Sequence, residues 1–160
     1  MPKELLFPLG WFDISHPLFT REDLRRYNPH RDVMEQVDGV ISLDVQAGTI
    51  LGWKDVRPDE FWCKGHIPGR PILPAVLMLE AAAQLGSVLI RETLKEEAKD
   101  VFIGFGGIDN ARFRGLVVPG DRLLLLARRR ELKRRITLFD TQGVVGDKIV
   151  FEATVIGVPV

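Results

Sequence analysis

The sequence holds one cysteine and three histidines, too few and too scattered for the structural chemistry those residues often announce. Cys63 alone rules out an internal disulfide, and with His16, His30 and His66 it gives no metal-ligand spacing. An excess of either charge is missing too: Lys and Arg number 22, as do Asp and Glu. That balance points away from nucleic acid and from an anionic membrane as partners. Repeats and low-complexity runs are absent, and the most apolar stretch, Ala75 to Ile90, is too short to span a bilayer. At the amino terminus Leu5-Leu6-Phe7 is cut short by Pro8 and followed by Asp13, which makes neither a leader's hydrophobic region nor a cleavage site. A cytoplasmic protein is expected.

What is present is one domain's worth of chain, 160 residues, with a segment around which the rest is organised. Between Ala75 and Ile90 the only polar side chains are Glu80, Gln84 and Ser87, as in a helix buried at the centre of a domain. Pro74 suits the start of that helix, because its fixed φ fits the first turn and its missing N–H is not needed there. The charged stretch Arg91 to Asp100 marks the far end emerging into water. A carboxylate among apolar neighbours is costly unless paired, and burial moves its pKa towards values useful for proton transfer. Glu80 is thus a catalytic candidate, or else a buried glutamate satisfied by a hydrogen bond such as one to Gln84 a turn away. Just upstream, Gly65-His66-Ile67-Pro68-Gly69-Arg70-Pro71 surrounds a histidine with glycine and proline, which makes a stiff irregular loop. His66 is there either as a general base or as a structural residue. Cys63 nearby raises a Cys/His nucleophile pair, against a small apolar residue beside the site.

The stretch from Gly65 to Gln84, with Gly107-Ile108-Asp109-Asn110-Ala111-Arg112-Phe113-Arg114, Val118-Pro119-Gly120-Asp121 and a weaker block at Pro29-His30-Arg31, resembles one family. This is the (3R)-hydroxyacyl-[acyl carrier protein] dehydratases of type II fatty acid synthesis. The resemblance covers roughly Asn28 to Ile156 and aligns His66 with the catalytic histidine and Glu80 with the catalytic carboxylate.

Elsewhere, residues 1–20 lie outside the resemblance, and Phe7, Trp11, Phe12 and Phe19 suggest a strap packed on a domain spanning 21–160. His16 has no evident partner. Thr20 reads as the N-cap of a short helix to about Tyr27, ended by Pro29. Gly39 to Asp44 and Thr49 to Val56 read as a hairpin around Gln46-Ala47-Gly48. Further strands are expected over Val101–Phe105, Asn110–Val117, Arg122–Lys133, Ile136–Gly143 and Lys148–Ile156, with turns at Val118–Asp121 and Gly146-Asp147. Asp32, Glu35 and Gln36 depart from the family's apolar pattern.

One long apolar helix and six or seven strands joined by short turns give an α+β domain, an antiparallel sheet wrapped around the helix. The resemblance names this the hot-dog fold and implies a homodimer whose sites take the histidine from one chain and the carboxylate from the other, with a trimer of dimers as a larger assembly. It implies interconversion of a (3R)-3-hydroxyacyl thioester and its trans-2-enoyl product. His66 takes the α-proton, Glu80 gives a proton to the leaving hydroxyl, and the Ala75 N–H stabilises the thioester oxygen. Ile67, Pro68, Gly69, Pro74 and Gln84 then support the loop and substrate tunnel. Ala75 and Ile67 stand where the family usually has glycine and phenylalanine. The resemblance implies no metal or organic cofactor, the substrate riding on the phosphopantetheine of acyl carrier protein. Arg112, Arg114, Arg128 and Arg130 are candidates for docking that acidic carrier, and equally a solvated face. A hot-dog acyl thioesterase and a non-catalytic acyl-thioester-binding subunit are the alternatives.

Overall fold

The computed structural model describes residues 4–160. Its elements run β1 (Phe19–Thr20), β2 (Gly39–Asp44), β3 (Thr49–Asp55), α1 (Ala75–Leu94), β4 (Ile103–Phe113), β5 (Arg122–Leu132), β6 (Thr137–Val145) and β7 (Lys148–Pro159). All strands join one antiparallel sheet in the order β1-β2-β3-β5-β6-β7-β4. The sheet curls around α1, which is the hot-dog arrangement.

β5 explains how the layers are built. Leu123, Leu125 and Ala127 face the core shared with Leu85, Val88 and Leu89 of α1, while Leu124 and Leu126 face the opposite side with Leu51, Trp53 and Val144. A run apolar on every residue, as from Leu123 to Ala127, needs cover on both faces. On the outer face the cover is the amino-terminal segment, through Leu6, Phe7, Leu9, Phe12 and Ile14. The Leu6 N–H donates to Gln142 Oε1 at 2.8 Å, and Arg128 Nη1 donates to the Leu6 carbonyl at 2.7 Å, so the segment is tied down as well as packed. Trp11 does not take part: it is 89% exposed. His16 is also exposed, and it has partners in Asp13 and Ser15. Full burial of an apolar side chain is worth about 1.5–3 kcal/mol, and the five of this segment, partly buried, each contribute less. A chain shortened to begin at Pro17 is expected to melt at a lower temperature and to bind a hydrophobic dye. Unchanged melting and no dye binding would show that the segment adds nothing.

Several expected elements shift. Thr20 and Asp23 bond to each other as a cap would, the Asp23 N–H donating to Thr20 Oγ1 at 3.2 Å and the Thr20 N–H to Asp23 Oδ2 at 2.8 Å, but the N-cap is Glu22, which has no side-chain cap bond. The helix it begins is only a 3₁₀ turn, Asp23–Arg26, because Thr20 is already held in β1 against Gly39. The central helix starts at Ala75 as expected but continues to Leu94, where Lys95 turns into the left-handed region at φ 48°. The two strands expected between Val101 and Val117 are one, β4, whose glycines and Asn110 are absorbed by bulges between Phe105 and Gly107 and between Asp109 and Arg112. Arg114 therefore lies beyond the strand and shares no strand face with Arg112.

Tyr27, the only tyrosine, donates its hydroxyl hydrogen to Glu92 of α1 and ties the 3₁₀ turn to the helix. Burial first, then the hydrogen bond to Glu92, pushes its pKa up to about 12. Because the folded value lies above the unfolded one, the contact stabilises fully below the ordinary tyrosine range, and that stability is lost as pH rises towards 12. Ultraviolet titration of the phenolate reads this residue alone; a midpoint at the ordinary tyrosine value, about 10, would refute the contact.

Candidate active site

His66 sits in the loop before α1, exposed, with its backbone N–H on the Trp62 carbonyl at 2.9 Å. Its ring is fixed by Nδ1, 2.6 Å from the Ile72 carbonyl. A carbonyl only accepts, so Nδ1 carries the hydrogen and Nε2 presents a lone pair. The turn that holds this loop closes through the Arg70 N–H on the Ile67 carbonyl at 3.0 Å, with Gly69 at φ 79°. Pro68 lies within that turn. Pro74 is the residue capping α1, and no side chain caps the helix there. The Ala75 N–H is in the first turn, where helices leave N–H groups without an internal acceptor. The Leu73 N–H on the Val117 carbonyl at 2.8 Å brings Leu116 and Val118 beside the helix start, where Ile67, Val76 and Phe61 are also exposed.

Glu80 lies on the second turn of α1 and lines a cavity of about 260 Å³. Across from it stand Ile103 and Phe105 of β4, Phe139 of β6 and Val155 of β7, with Ala83 and Ser87 continuing along the helix. Gln84 Nε2 donates to Glu80 Oε1 at 2.8 Å, and His30 Nε2 stands 3.2 Å from the same oxygen. The hydrogen bond to His30, aided by that from Gln84, outweighs burial and holds the Glu80 carboxyl below the usual carboxylate range. Expected to be held protonated or hydrogen-bonded, Glu80 is hydrogen-bonded and rests ionised. His66 is not on the wall of this cavity.

The remaining candidates divide. Gln84 is buried and fixed, its Nε2 also donating to the Met34 carbonyl at 2.8 Å and its Oε1 accepting from the Gln36 N–H at 3.0 Å. This gives the departures near residue 32 a structural use: Gln36 is buried against Gln84, and Glu35 accepts from Arg25 Nε and Nη2, each at 2.9 Å. Of the four arginines offered for docking, Arg114 pairs with Glu152 at 3.2 Å, Arg128 holds the amino-terminal segment, and Arg130 approaches Asp140 at 3.5 Å. Arg112 is exposed and bonds only to its neighbour's carbonyl among the described contacts. Cys63 Sγ points to the Arg57 carbonyl at 3.4 Å and not to His66. Among the described residues no three His, Cys, Asp or Glu side chains gather as metal ligands, and no helix is long and apolar enough to cross a membrane. The residue that sequence reasoning left out is His30; the signal was the weak Pro29-His30-Arg31 block.

A family model of the FabA-like domain matches residues 28–154. The chain belongs to the FabA-like family. Over 146 residues, 89% of this FabA-like chain and 95% of the relative, it is 36% identical to the 3-hydroxyacyl-[acyl-carrier-protein] dehydratase FabZ of Xanthomonas campestris pv. campestris strain B100, and equally to that of strain 8004. Among solved structures it is similar to the dehydratase heterocomplex ApeI:P from Xenorhabdus doucetiae, with TM-score 0.72, 16% identity and 86% and 90% of the two chains covered. A mutant of the thioesterase PA1618 from Pseudomonas aeruginosa is similar at TM-score 0.59 and 17% identity, covering 78% and 82%. At such identities the likeness is one of fold, and a fold shared by dehydratases and thioesterases does not choose the reaction. In a FabA-like chain that choice rests on the side chains at the site.

Proposed function

We propose that the chain is a 3-hydroxyacyl-[acyl carrier protein] dehydratase of fatty acid biosynthesis, acting in the cytoplasm as a homodimer. The observation that carries the mechanism is the bond from His66 Nδ1–H to the Ile72 carbonyl at 2.6 Å, which leaves Nε2 as a fixed base. In dehydration Nε2 takes the α-proton, the C–O bond at the β-carbon breaks, and the hydroxyl leaves as water with a proton from Glu80. The double bond forms between the α- and β-carbons. One proton is thus shared by the pair: neutral His66 with protonated Glu80 begins dehydration, and protonated His66 with ionised Glu80 begins hydration. The lowered Glu80 carboxyl is ionised at rest, so it takes up a proton before dehydration begins. An apolar acyl chain that expels water from the cavity raises Glu80 towards the first of these arrangements. The Ala75 N–H, at the positive end of α1, meets the charge that grows on the thioester oxygen.

Glu80 has a cavity without His66, and β4, which forms one wall, is a sheet edge carrying exposed Phe105, Ile108 and Phe113. A second copy paired along β4 would cover that apolar edge and bring its own His66 to the site. Arg112, free on the same strand, is the best remaining candidate for docking an acidic carrier. The reaction as written draws on no metal or organic cofactor.

The test is interconversion of 3-hydroxybutyryl and crotonyl thioesters on acyl carrier protein and on coenzyme A. Interconversion without release of free thiol is expected. Thiol release would support a thioesterase instead, and a folded protein inert to short and long chains would leave only binding.

A further inference from the structure

Among the described residues that line the acyl cavity, Glu80 and His30 are the only titratable side chains. The walls from β4, β6 and β7 are apolar or glycine, and Gln84 and Ser87 on α1 are neutral. His30 Nε2 and Gln84 Nε2 converge on one carboxylate oxygen, Oε1, at 3.2 and 2.8 Å. No described hydrogen bond uses Oε2. Gln84 cannot follow a moving carboxylate, being held by Met34 and Gln36 as well. The loop that carries His30 is held too: Arg31 Nη1 donates to the Asn28 carbonyl at 2.9 Å and to the His30 carbonyl at 2.7 Å, and Asn28 Nδ2 donates to the Gln84 carbonyl at 3.1 Å. An ionised carboxylate only accepts, so the hydrogen between the two lies on His30 Nε2 and His30 is the donor, while its Nδ1 is buried without a partner.

We infer that His30 is a positioning residue of the reaction, pinning Oε1 of Glu80 together with Gln84 so that Oε2 alone meets the substrate hydroxyl. The inference rests on the reading of Glu80 as the acid of a dehydratase. Its logic is geometric: a carboxylate anchored at one oxygen by two donors keeps a single orientation for proton transfer, and misplacement by about 1 Å costs on the order of a hundredfold. The anchoring also explains why the carboxyl lies low despite its apolar walls, since both donors favour the ionised form.

The experiment compares native protein with His30→Ala and His30→Gln, whose amide N–H can reach the place of Nε2, by steady-state kinetics on crotonyl-[acyl carrier protein] hydration. The Glu80 carboxyl carbon is titrated by NMR in the same proteins. In His30→Ala, kcat is expected to fall about 10- to 100-fold with KM nearly unchanged, and the Glu80 midpoint to rise; His30→Gln should restore most of both. Native kcat with an unmoved Glu80 midpoint in His30→Ala would overturn the inference, as would a rise in KM alone, which is what a wall residue gives. An inert native protein whose Glu80 midpoint still rises in His30→Ala would sink the dehydratase reading and keep the contact. Should His30→Ala fail to fold, His30→Leu, closer in volume, takes its place under the same criteria.

Discussion

Mixed in equal amounts, the His66→Ala and Glu80→Ala proteins are expected to recover about a quarter of native turnover, although each alone is slower by about 10²–10⁴-fold. The arithmetic follows from two-fold symmetry. With free exchange, about half of the dimers are mixed, and in each of these one site draws both intact residues while the other has neither. Each variant alone loses one proton-transfer partner from every site. The structural ground is the separation of the two side chains: the cavity around Glu80 is walled by α1, β4, β6 and β7, and His66 stands on an exposed loop outside it. Subunit exchange is followed with two differently tagged chains. Proven exchange with no regain of activity would mean that the two residues act within one chain, or not together.

Phe139→Ala is expected to lower the unfolding free energy by about 3–5 kcal/mol, measured by urea denaturation. The ring is 2% exposed, on β6 in the interior of the sheet, and its edge lies over α1 where the helix has Gly86. A Cβ at that position would sit 2.2 Å from a ring carbon. Helix and sheet approach closely there because one partner has no side chain, so removal of the other leaves a hole that a rigid helix does not close. Gly86→Ala pushes the same contact the other way and is expected to cost about 1–3 kcal/mol. The double variant is the sharper experiment. If the two are in contact, the new methyl enters the space the ring left, and the double loss falls short of the sum by roughly 0.5–3 kcal/mol. Strict additivity would place the ring elsewhere.

Much of this architecture is legible in the chain because the signals are local. Pro74 fixes where α1 begins, the apolar run from Ala75 shows that the helix is central, and Gly146 at φ 62° makes the β6–β7 turn that its sequence suggests. His66 and Glu80 stand out as polar residues in a setting that must account for them. The failures have one physical cause, contacts between segments distant in sequence. His30 meets Glu80 across 50 positions, and nothing near Pro29 shows that its ring will find a carboxylate. Arg128 reads as a docking candidate, yet its partner is the carbonyl of Leu6. Gly106 and Gly107 read as a break between strands, whereas a strand at the edge of its own chain's sheet can bulge and continue because no further strand of that chain has to match it.

The covering of β5 on both faces has a consequence for how the chain finds its pairing. In most half-buried strands a slip of one residue turns the apolar side to water and is punished at once. Here Leu123 to Leu126 would exchange one leucine for another, and hydrophobicity scarcely distinguishes the correct alignment from its neighbours. A shape does so instead. Leu125 pairs with Gly143, and the Phe151 ring lies so close over that glycine that a Cβ there would come within 2.2 Å of it. The glycine is a keyhole for the ring, and β5, β6 and β7 are aligned when the ring is in it.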